Sequence, residues 1–566
     1  MTATPWGFRD ILPEEAQARE EIALTVKGCF REHHYLPVET PLLEDKGSLE
    51  EGGRIADTPF KLFDDDGRLL VVRPDNTLPI VRLVSTRMRA ADLPLRLRYE
   101  APVVRECQRN AGGSRQFTQL GFELIGAGDT AGDVEIVSLV AEAVRKLALP
   151  DARIIAGSVR PFKELLAACE DRELAAEALR CVHANDFVGL DARVAASTES
   201  DAVKAAISEL PRLHGGAEVL DCVDALLEAA GIVAPLTREL RALVEGLAPE
   251  DAQVLSFDFS IMNSFDYYTG LVFKAYAGGL PDPVGSGGRY DSIFTGAFGD
   301  GIEVPAAGFA FSLERLEAAR TSAEDAASDG DHAAGRGAEG PLRIAVPKGS
   351  LKADTLDVLE TAGLDVSELR DPGRHLIVRG RDTRAGDIEF VIVRPSDAPA
   401  FVGCGGADCG ICGWDSLIEA DLNLLQLVDL GYGLCTFIEA EPAWRAGQAE
   451  RNYARRGSLR VARGSPRIAS AWYAERGVNA DIVSLHGNIE LGPIVGMTDR
   501  IVDITATGAT LRDNDLVITG RIMDCTARFF VNPGAARLDP RVRNLADRLA
   551  AAVKDKHFEP VAGSAQ

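Results

Sequence analysis

Residues 321–340, TSAEDAASDGDHAAGRGAEG, are the segment that most constrains how this chain can fold. They include no Ile, Leu, Val, Met or aromatic residue. Because so little apolar surface is available to offset the entropy of ordering it, the segment is typical of a flexible linker. A long surface loop inside one domain is the alternative, but structureless loops of that length are uncommon in compact domains. We therefore predict two domains, residues 1–320 and residues 341–566, with a flexible linker at 321–340.

Length, charge and cysteine usage exclude several classes of protein. The chain has 566 residues, more than one hydrophobic core usually supports. No apolar run reaches the length of a membrane span, and the early charges of Arg9 and Asp10 disfavour a secretion signal, so we expect a cytoplasmic protein. The net charge of −25 disfavours a broad nucleic-acid-binding face. Ten cysteines in so long a chain are expected to stay reduced.

Strand patterns in the first half do not alternate regularly with helices. An opening helix is expected over residues 14–33, and helical spacing returns over residues 160–248. Between and after these helices, strand patterns occupy residues 35–44, 60–72, 96–107, 115–126, 254–260 and 267–276. This order predicts an α+β domain whose sheet is antiparallel and carries its helices on one face.

In the second half, strand and helix patterns alternate regularly. Short apolar strands, beginning with LRIAVP at residues 342–347, are each followed by a helical pattern. Such alternation predicts parallel α/β units.

A strand that runs into a loop of small and hydroxyl residues is the most informative feature of the second half. The strand ends at Asp503, and the loop contains Thr505, Ala506, Thr507, Gly508, Ala509 and Thr510. Phosphate needs several converging backbone N–H donors, which small residues allow, and a carboxylate can accept the hydroxyls of a ribose. The loop therefore suits a sugar phosphate, although an ordinary strand–turn–helix junction is the alternative.

Two basic residues are further candidates for contacts with phosphate. Lys348 lies where a strand gives way to a helix, and Arg463 lies in the basic segment LRVARGSPR. A solvated lysine and a solvated strand edge are the alternatives.

Three cysteines and a histidine suggest a metal site or a catalytic base. Cys404, Cys409 and Cys412 lack the paired spacing of a four-ligand zinc site, so we interpret them as core thiols. His486, in LHGNIE, is interpreted as a structural residue of a buried α/β strand rather than a base.

The second half resembles the short form of ATP phosphoribosyltransferase, the first enzyme of histidine biosynthesis. The resemblance covers residues 342 to about 549 and rests on PKGSL, GADCGICGWD, LHGNIE and VDITATGATL, in that order. It implies a two-lobed α/β fold like that of periplasmic binding proteins. It also implies a reaction in which adenine N1 of ATP displaces pyrophosphate from C1 of phosphoribosyl pyrophosphate, with Mg²⁺ but no cluster of protein metal ligands.

The same resemblance assigns roles to the candidate residues. Asp503 and the loop from Thr505 to Thr510 would hold the ribose and its 5′-phosphate. Lys348 would lie near the phosphates. Arg463 and Gly464 stand where family members often carry Thr-Lys, so Arg463 would replace the charge of that lysine.

The first half resembles histidyl-tRNA synthetase, and still more the synthetase-like regulatory subunit that accompanies short-form ATP phosphoribosyltransferase. The resemblance runs from Trp6 to about Ala319 and rests on VETPLLE, RPDNT, RYEAPVVRECQRNAGGSRQFTQLGFELIG, SFDYYTGLVF, GSGGRYD and GFAFSLERL. It implies a class II synthetase-like domain with a histidine pocket. GSGGRYD lacks the lysine of a phosphate-binding P-loop, and we interpret it as a tight turn that shapes this pocket. The candidate pocket residues are Asp75, Arg105, Gln119, Glu123, Tyr267, Tyr268 and Tyr290.

The chemistry of these residues is compatible with that assignment. Carboxylates suit the amine of an amino acid, a basic group suits its carboxylate, and hydrogen-bond acceptors suit an imidazole ring. Packing tyrosines and paired charges are the alternative.

Departures from the synthetase pattern favour regulation over aminoacylation. Asn263 stands where the synthetase has an Arg that aids adenylate formation, Cys107 replaces a Glu, and Ala310 replaces a Gly. We expect the first half to bind histidine as a feedback inhibitor of the second, in a homo-oligomer that binds ATP, phosphoribosyl pyrophosphate and histidine but neither nucleic acid nor membrane. The alternatives are an active histidyl-tRNA ligase with an accessory α/β domain and a solute-binding module.

Overall fold

The chain divides into two compact units. The computed structural model describes residues 3–47, 60–88, 92–106, 113–128, 130–233, 235–261, 268–294, 304–328, 340–384, 386–485, 487–505, 508–554 and 556. Unit 1 contains Met1–Gly340 and Pro533–Asp539, and unit 2 contains Pro341–Asn532 and Pro540–Gln566. Within the described ranges, no helix has both the length and the apolar character needed to cross a bilayer.

The strands of unit 1 form a large mixed sheet and a small one. Those that the structure describes are β1 (Leu36–Pro37), β2 (Leu43–Asp45), β3 (Lys61–Phe63), β4 (Leu69–Val72), β5 (Leu95–Val104), β6 (Gln116–Ile125), β7 (Arg153–Ser158), β8 (His214–Gly215), β9 (Leu255–Asp258), β10 (Leu271–Tyr276), β11 (Gly285–Arg289) and β12 (Ala306–Ser312). The large sheet has the order β1-β5-β6-β12-β11-β10-β7-β9-β8, and the small sheet has the order β2-β4-β3.

The antiparallel sheet expected from the sequence is confirmed for the centre of the large sheet, but not for two pairs. β5, β6, β12, β11, β10 and β7 pair antiparallel in that order. β1 runs parallel to β5, and β7 runs parallel to β9. A long helical connection separates β7 from β9, and connections of that kind allow a parallel return.

Helices cover and connect these strands. In the described part of unit 1 they are α1 (Pro13–Glu32), α2 (Thr77–Arg87), α3 (Thr130–Lys146), α4 (Arg160–Ala168), α5 (Arg172–His183), α6 (Phe187–Ala196), α7 (Asp201–Glu209), α8 (Val219–Ala229), α9 (Arg238–Gly246), α10 (Pro249–Ala252) and α11 (Leu313–Ser328). A buried ion pair ties α3 to β11, because Arg289 donates to Asp133 at 2.6 and 2.9 Å. Buried charges that are paired in this way fix the position of both elements.

The last helix of unit 1 corrects part of the linker prediction. α11 continues through Ser328, so residues 321–328 are helical rather than a flexible connection. The segment lacks bulky apolar residues, but its alanines and glutamate are good helix formers and extend a helix that has already started at Leu313. Residues 329–339 lie outside the described residues.

Unit 2 contains the remaining strands and all but one of the remaining described helices, because the helix Pro533–Leu538 belongs to unit 1. Its described strands are β13 (Leu342–Pro347), β14 (Leu364–Asp365), β15 (Ile377–Asp382), β16 (Gly386–Val393), β17 (Cys409–Gly413), β18 (Leu425–Asp429), β19 (Cys435–Pro442), β20 (Leu459–Arg463), β21 (Ala480–Ser484), β22 (Arg500–Thr505), β23 (Leu516–Cys525) and β24 (Ala527–Val531). The helices that follow unit 1 in the chain are α12 (Lys352–Thr361), α13 (Ser367–Arg370), α14 (Ala398–Gly403), α15 (Trp414–Ala420), α16 (Gln448–Arg456), α17 (Pro466–Glu475), α18 (Leu491–Ile494), α19 (Ala509–Asp513), α20 (Pro533–Leu538) and α21 (Pro540–Lys554).

Two sheets build unit 2. Across the described residues, one sheet has the order β14-β15-β16-β13-β17-β24-β18 and the other has the order β21-β20-β22-β19-β23. The chain passes from the first sheet to the second between β18 and β19, and returns between β23 and β24. Each sheet has its own buried apolar clusters, with Phe530 in the first sheet and Ile438 in the second.

Among the described strands, parallel pairing occurs at the centre of the first sheet and at the β21 edge of the second. β13 is parallel to β16 and β17, and β20 is parallel to β21 and β22. The other pairs are antiparallel, which corrects the expectation of wholly parallel units. The two crossings explain the difference for β19, β23 and β24, because a strand that enters or leaves a sheet at a crossing needs no helical return connection.

A buried ionic network fixes β22, the strand that carries Asp503. Arg500 donates to Glu441 at 3.0 Å and to Glu439 at 3.1 Å, and it also pairs with Glu450. Glu439 accepts a further hydrogen bond from the hydroxyl of Thr519 at 2.7 Å. Because removal of one partner would leave charges buried and unpaired, this network holds β22 firmly against β19 and β23.

Candidate functional site

A small cavity in unit 1 gathers most of the residues predicted to bind histidine. It has a volume of about 60 Å³. Its walls come from the start of α2 and from strands β5, β6, β10, β11 and β12 or the residues beside them in the chain. The lining residues are Asp75, Thr77, Arg105, Gln119, Glu123, Tyr268, Ser286, Gly287, Tyr290, Gly308, Phe309 and Ala310. Tyr267, the remaining candidate, lies outside the described residues.

Glu123 is the centre of this cavity. Its carboxylate accepts hydrogen bonds from the hydroxyls of Thr77 at 3.0 Å, Tyr99 at 3.3 Å and Tyr290. Burial raises the pKa of Glu123 to about 7, and the nearby charge of Asp75 adds to the rise while the three hydroxyls oppose it. A carboxylate poised in this way can accept an N–H from a ligand when it is ionised.

The other polar walls of the cavity are held in place by the backbone around α2. The amide oxygen of Gln119 accepts from the backbone N–H of Asn76 at 3.1 Å and from its side-chain amide at 2.8 Å. Arg105 donates to the carbonyl of Pro74 at 2.7 Å, and its guanidinium lies over the ring of Phe117. The RPDNT motif therefore aligns residues that are far apart in the chain.

The GSGGRYD motif is a strand and not the tight turn that the sequence suggested. Gly285, Gly287 and Gly288 lie on β11 in the centre of the large sheet. A Cβ at Gly287 would overlap the backbone of Gly308, and a Cβ at Gly288 would come within 2.6 Å of the ring of Tyr268. These glycines serve close approach between strands and pocket residues, and they do not serve a turn.

A larger cavity in unit 2 lies at the carboxyl end of β22. It has a volume of about 600 Å³. The connection between β21 and α18 forms one wall, and β22 with the residues in and after α19 forms the other. The lining residues are Gly487, Asn488, Ile489, Glu490, Leu491, Asp503, Thr510 and Asn514.

Asp503 supplies the carboxylate on the floor of this cavity. One of its oxygens accepts the backbone N–H of Ile504 at 2.8 Å. Burial raises the pKa of Asp503 to about 6, and the charge of Glu490 raises it further. Two carboxylates that face one cavity with so few internal donors are available to donors on a ligand.

The predicted phosphate loop is described only at its ends. The hydroxyl of Thr505 accepts the backbone N–H of Gly508 at 3.0 Å, and Gly508 has a φ of 67° that favours glycine. Ala509 and Thr510 begin α19, and Thr510 lines the cavity. Ala506 and Thr507 lie outside the described residues.

Arg463 ends β20 beside β22, but not on the face that carries Asp503. Its register partner on β22 is Val502, and paired residues share a face while the next residue, Asp503, points to the other. Arg463 is 5% exposed and donates to the hydroxyl of Ser484 at 3.2 Å. Its Nε and Nη1 have no hydrogen-bond partner among the described residues, and burial lowers its pKa.

The other candidates in unit 2 lie apart from the cavity. Lys348 is exposed after β13 in the other sheet and is not part of the cavity wall. Cys409 and Cys412 are buried on β17 as expected, but Cys404 is exposed, so it is not a core thiol. In the described part of the chain, no group of three or more His, Cys, Asp and Glu side chains could hold a metal ion. His486 lies outside the described residues.

Comparisons with known proteins match the two halves of the chain, each of which contains one of the two cavities, to different families. A family model for histidyl-tRNA synthetase matches residues 7–316, and a family model for ATP phosphoribosyltransferase matches residues 394–551. An ATP phosphoribosyltransferase of Rubrobacter xylanophilus is 48% identical over 197 residues, 35% of this chain and 89% of the relative. The ATP phosphoribosyltransferase regulatory subunit of the same organism is 36% identical over 324 residues, 56% of this chain and 76% of the relative.

The chain belongs to the ATP phosphoribosyltransferase family.

A solved structure is also similar to this chain. The crystal structure of an ATP phosphoribosyltransferase regulatory subunit/histidyl-tRNA synthetase from Bacillus halodurans is 25% identical and covers 70% of this chain and 93% of that one, with a TM-score of 0.52. In this member of the ATP phosphoribosyltransferase family, sequences that are two proteins in Rubrobacter xylanophilus form one polypeptide, with a class II synthetase-like regulatory half and a transferase half.

The sequence missed several residues of both sites. Thr77 and Tyr99 bond to Glu123, and Asn488, Glu490 and Asn514 line the cavity of the transferase half. A signal for Tyr99 was present, because its cross-strand partner is a glycine, Gly121, and a Cβ there would overlap the tyrosine ring. The polar residues of the unit 2 cavity come from three separate segments, and no spacing in the sequence links them.

Proposed function

We propose that unit 2 catalyses attack of adenine N1 of ATP on C1 of phosphoribosyl pyrophosphate, with release of pyrophosphate. The observation that carries the proposal is the cavity of about 600 Å³ at the end of β22, with Asp503 and Thr510 in its wall. The cavity lies within the residues that match the transferase family model. Adenine N1 is unprotonated at neutral pH, so this chemistry needs positioning and charge stabilisation more than a strong base.

Asp503 has the role of a ribose anchor in this proposal. When ionised, its carboxylate accepts the two hydroxyls of the ribose, and those donors compensate the burial that raises its pKa. Thr510 and the N–H groups of the loop that begins at Thr505 are donors for the 5′-phosphate.

Arg463 has the role of a binding group for a second anionic part of the substrates. A buried guanidinium with two unpartnered nitrogens is costly, so an anion that accepts from Nε and Nη1 would be bound strongly. Because Arg463 lies on the face of the sheet opposite to Asp503, we assign it to phosphates of ATP or to the leaving pyrophosphate rather than to the 5′-phosphate. Lys348 is proposed as a second positive charge for phosphates, contributed by the other sheet.

Mg²⁺ belongs to this proposal as an ion that arrives with the substrate phosphates. The cavity offers the carboxylates of Asp503 and Glu490 and the side-chain amides of Asn488 and Asn514. Oxygen ligands of these kinds suit Mg²⁺, which commonly binds to one or two carboxylates and to phosphate oxygens. When bound, the ion supplies charge neutralisation for the departing pyrophosphate.

The arrangement of unit 2 suits a two-lobed fold of the periplasmic-binding-protein type. Two sheets, each with its own apolar core, are joined by two chain crossings. Closure of such lobes around bound substrates would exclude water from the ribosyl cation that forms in the transition state.

Unit 1 is proposed as the histidine sensor. Glu123 would accept an imidazole N–H, Asp75 would pair with the ammonium group, and Arg105 would pair with the carboxylate. Gln119, Tyr268, Tyr290 and Tyr267 complete the proposed pocket. Histidine inhibits only if it binds the inhibited state more tightly than the active one, and a homo-oligomer would share that preference among its subunits.

An active histidyl-tRNA ligase is the second candidate, because a synthetase family model matches residues 7–316. Two departures that argue against it, Asn263 and Cys107, lie outside the described residues. The third, Ala310, lines the unit 1 cavity where the synthetase pattern has glycine.

Release of pyrophosphate tests the two candidates together. The full chain with ATP, phosphoribosyl pyrophosphate and Mg²⁺ should release pyrophosphate, and added histidine should slow it. The ligase would instead release pyrophosphate from ATP only when histidine is present, whether or not phosphoribosyl pyrophosphate is added. That second pattern, or no release at all, would overturn the transferase proposal.

A further inference from the structure

Two cysteines of unit 2 face each other where the chain crosses between the two sheets. Cys435 is the first residue of β19, and Cys525 is the last residue of β23. They are direct register partners in the antiparallel pair. The chain enters the five-stranded sheet at Cys435 and leaves it at Cys525, so the pair marks both crossings at once.

The pairing geometry suits a disulfide. Opposite residues of an antiparallel pair have Cα atoms about 4.5–5.5 Å apart, within the range of about 4.4–6.8 Å found for disulfides. The two thiols are close enough to share a hydrogen bond. The next register pair is also fixed, because the hydroxyl of Thr436 donates to Asp524 at 2.7 Å. Little movement of the backbone is therefore needed to join the sulfurs.

The surroundings make Cys435 the more reactive sulfur. The hydrogen bond from Cys525 lowers the pKa of Cys435, against burial and the charges of Asp415 and Asp524, which raise it. The same hydrogen bond and burial raise the pKa of Cys525. Cys435 is half-buried whereas Cys525 is 1% exposed, so an oxidant in solution reaches Cys435 first.

We propose that Cys435 and Cys525 form a reversible disulfide when the protein meets a peroxide, and that this bond restrains movement between the two sheets of unit 2. The Cys435 thiolate attacks one oxygen of hydrogen peroxide, the O–O bond breaks, and the other oxygen leaves with a proton as water. The Cys525 thiol then attacks the sulfenic sulfur, the S–O bond breaks, a second water leaves, and the S–S bond forms. Two thiols are oxidised and one peroxide is reduced to two waters.

The bond would act on catalysis through the crossings. Two backbone hydrogen bonds already hold the chain near the crossings. The N–H of Leu430 donates to the carbonyl of Ala527 at 2.9 Å, and the N–H of Trp414 donates to the carbonyl of Thr526 at 3.0 Å. A covalent tie at Cys435 and Cys525 removes the remaining freedom of the two crossing strands. The effect on turnover rests on the proposed function, since it requires that the sheets move relative to each other as substrates bind.

Peptide mapping of the full chain tests the bond without reference to activity. After peroxide treatment and alkylation, trypsin should leave Ile522–Arg528, which contains Cys525, linked to the peptide that contains Cys435. A second cleavage at Asp421 or Asp429 separates Cys435 from Cys404, Cys409 and Cys412 and identifies the partner. Absence of the linked peptide at a peroxide dose that oxidises the exposed Cys222 and Cys404 would overturn the proposal.

The rate of pyrophosphate release measures how far the disulfide restrains turnover. Oxidation should lower turnover about threefold or more, and dithiothreitol should restore it. Cys435→Ala should abolish this sensitivity, whereas Cys222→Ala, an exposed position in unit 1, should keep it. A linked peptide with unchanged turnover would overturn the restraint. An enzyme that is inactive even when reduced would refute the proposed function. The peptide map would still decide whether the disulfide forms.

Discussion

The proposed sites of the two units differ in how far their polar groups have hydrogen-bond partners without a ligand. In unit 1, Glu123 accepts three hydroxyl hydrogen bonds inside a cavity of about 60 Å³. In unit 2, Asp503 accepts one backbone N–H in a cavity of about 600 Å³. On the opposite face of the same sheet, Arg463 has two nitrogens without a hydrogen-bond partner among the described residues. The polar groups of the proposed sensor site are thus satisfied before a ligand binds, whereas those of the proposed transferase site need substrates to satisfy them.

This contrast has an energetic meaning. A preformed pocket binds with a small ordering cost and discriminates by shape. A site with unsatisfied charges is destabilising to the folded protein, and substrates recover that cost when they bind. Substitutions in unit 2 should therefore reduce function and increase stability together, whereas substitutions in the unit 1 pocket should weaken a network that is already complete.

Asp503→Asn is expected to have the largest effect. The amide keeps the shape of the side chain but accepts more weakly, so turnover should fall about 100-fold or more. The free energy of unfolding should rise by about 1 kcal/mol, because a carboxylate whose pKa burial raises destabilises the folded state at neutral pH. Pyrophosphate release and thermal unfolding measure the two effects, with exposed Asp513→Asn as the matched control. Undiminished turnover would mean that the ribose site lies elsewhere.

Arg463→Met should come next, with a KM for one anionic substrate raised about 10- to 100-fold. Separate titrations of ATP and phosphoribosyl pyrophosphate identify which substrate reaches the guanidinium. Thermal stability should not fall, because the methionine fills the space without a buried unpaired charge. Exposed Arg455→Met is the control. Unchanged KM values for both substrates would show that Arg463 is a structural residue, and the contrast between the two units would then depend on Asp503 alone.

Glu123→Gln should weaken histidine binding about tenfold, because an amide replaces the carboxylate that accepts three hydroxyls and the ring N–H. Isothermal titration calorimetry on the full chain measures the affinity, and Glu20→Gln on the exposed face of α1 is the control. Equal affinity in the two variants would show that histidine binds outside this pocket, and the sensor would then have no assigned site.

The sequence predicted the unit 1 pocket better than the unit 2 cavity for a physical reason. Gln119 and Glu123 lie on β6, which pairs directly with β5 and β12, so the sequence motifs that contain these strands are adjacent in the sheet. Asp75 lies just before α2 and lines the same cavity. Arg463 and Asp503 lie on neighbouring strands too, but which face each takes depends on the register with β22, and a shift of one residue reverses it.

Two other expectations were drawn from local sequence and did not hold in the structure. Glycines are frequent in turns, which suggested a turn for GSGGRYD, whereas β11 uses them to let Tyr268 and the neighbouring strand approach. The absence of bulky apolar residues suggested that residues 321–328 are flexible, whereas α11 already runs into them and their composition does not stop it.

The smallest expected effect is a difference between the two sites in how ligand binding depends on pH. Glu123 has a pKa of about 7 and Asp503 a pKa of about 6, both raised mainly by burial. Between pH 8 and pH 6.5 the ionised fraction of Glu123 falls about fourfold, whereas that of Asp503 falls by only about a quarter. Because the ionised form accepts the ligand donors at both sites, the inhibition constant for histidine should rise about fourfold while the KM for phosphoribosyl pyrophosphate changes little. Histidine itself titrates in this range, so Glu123→Gln measures the contribution of the ligand alone. If the wild-type and variant profiles have the same shape, then Glu123 is not the group that links inhibition to pH.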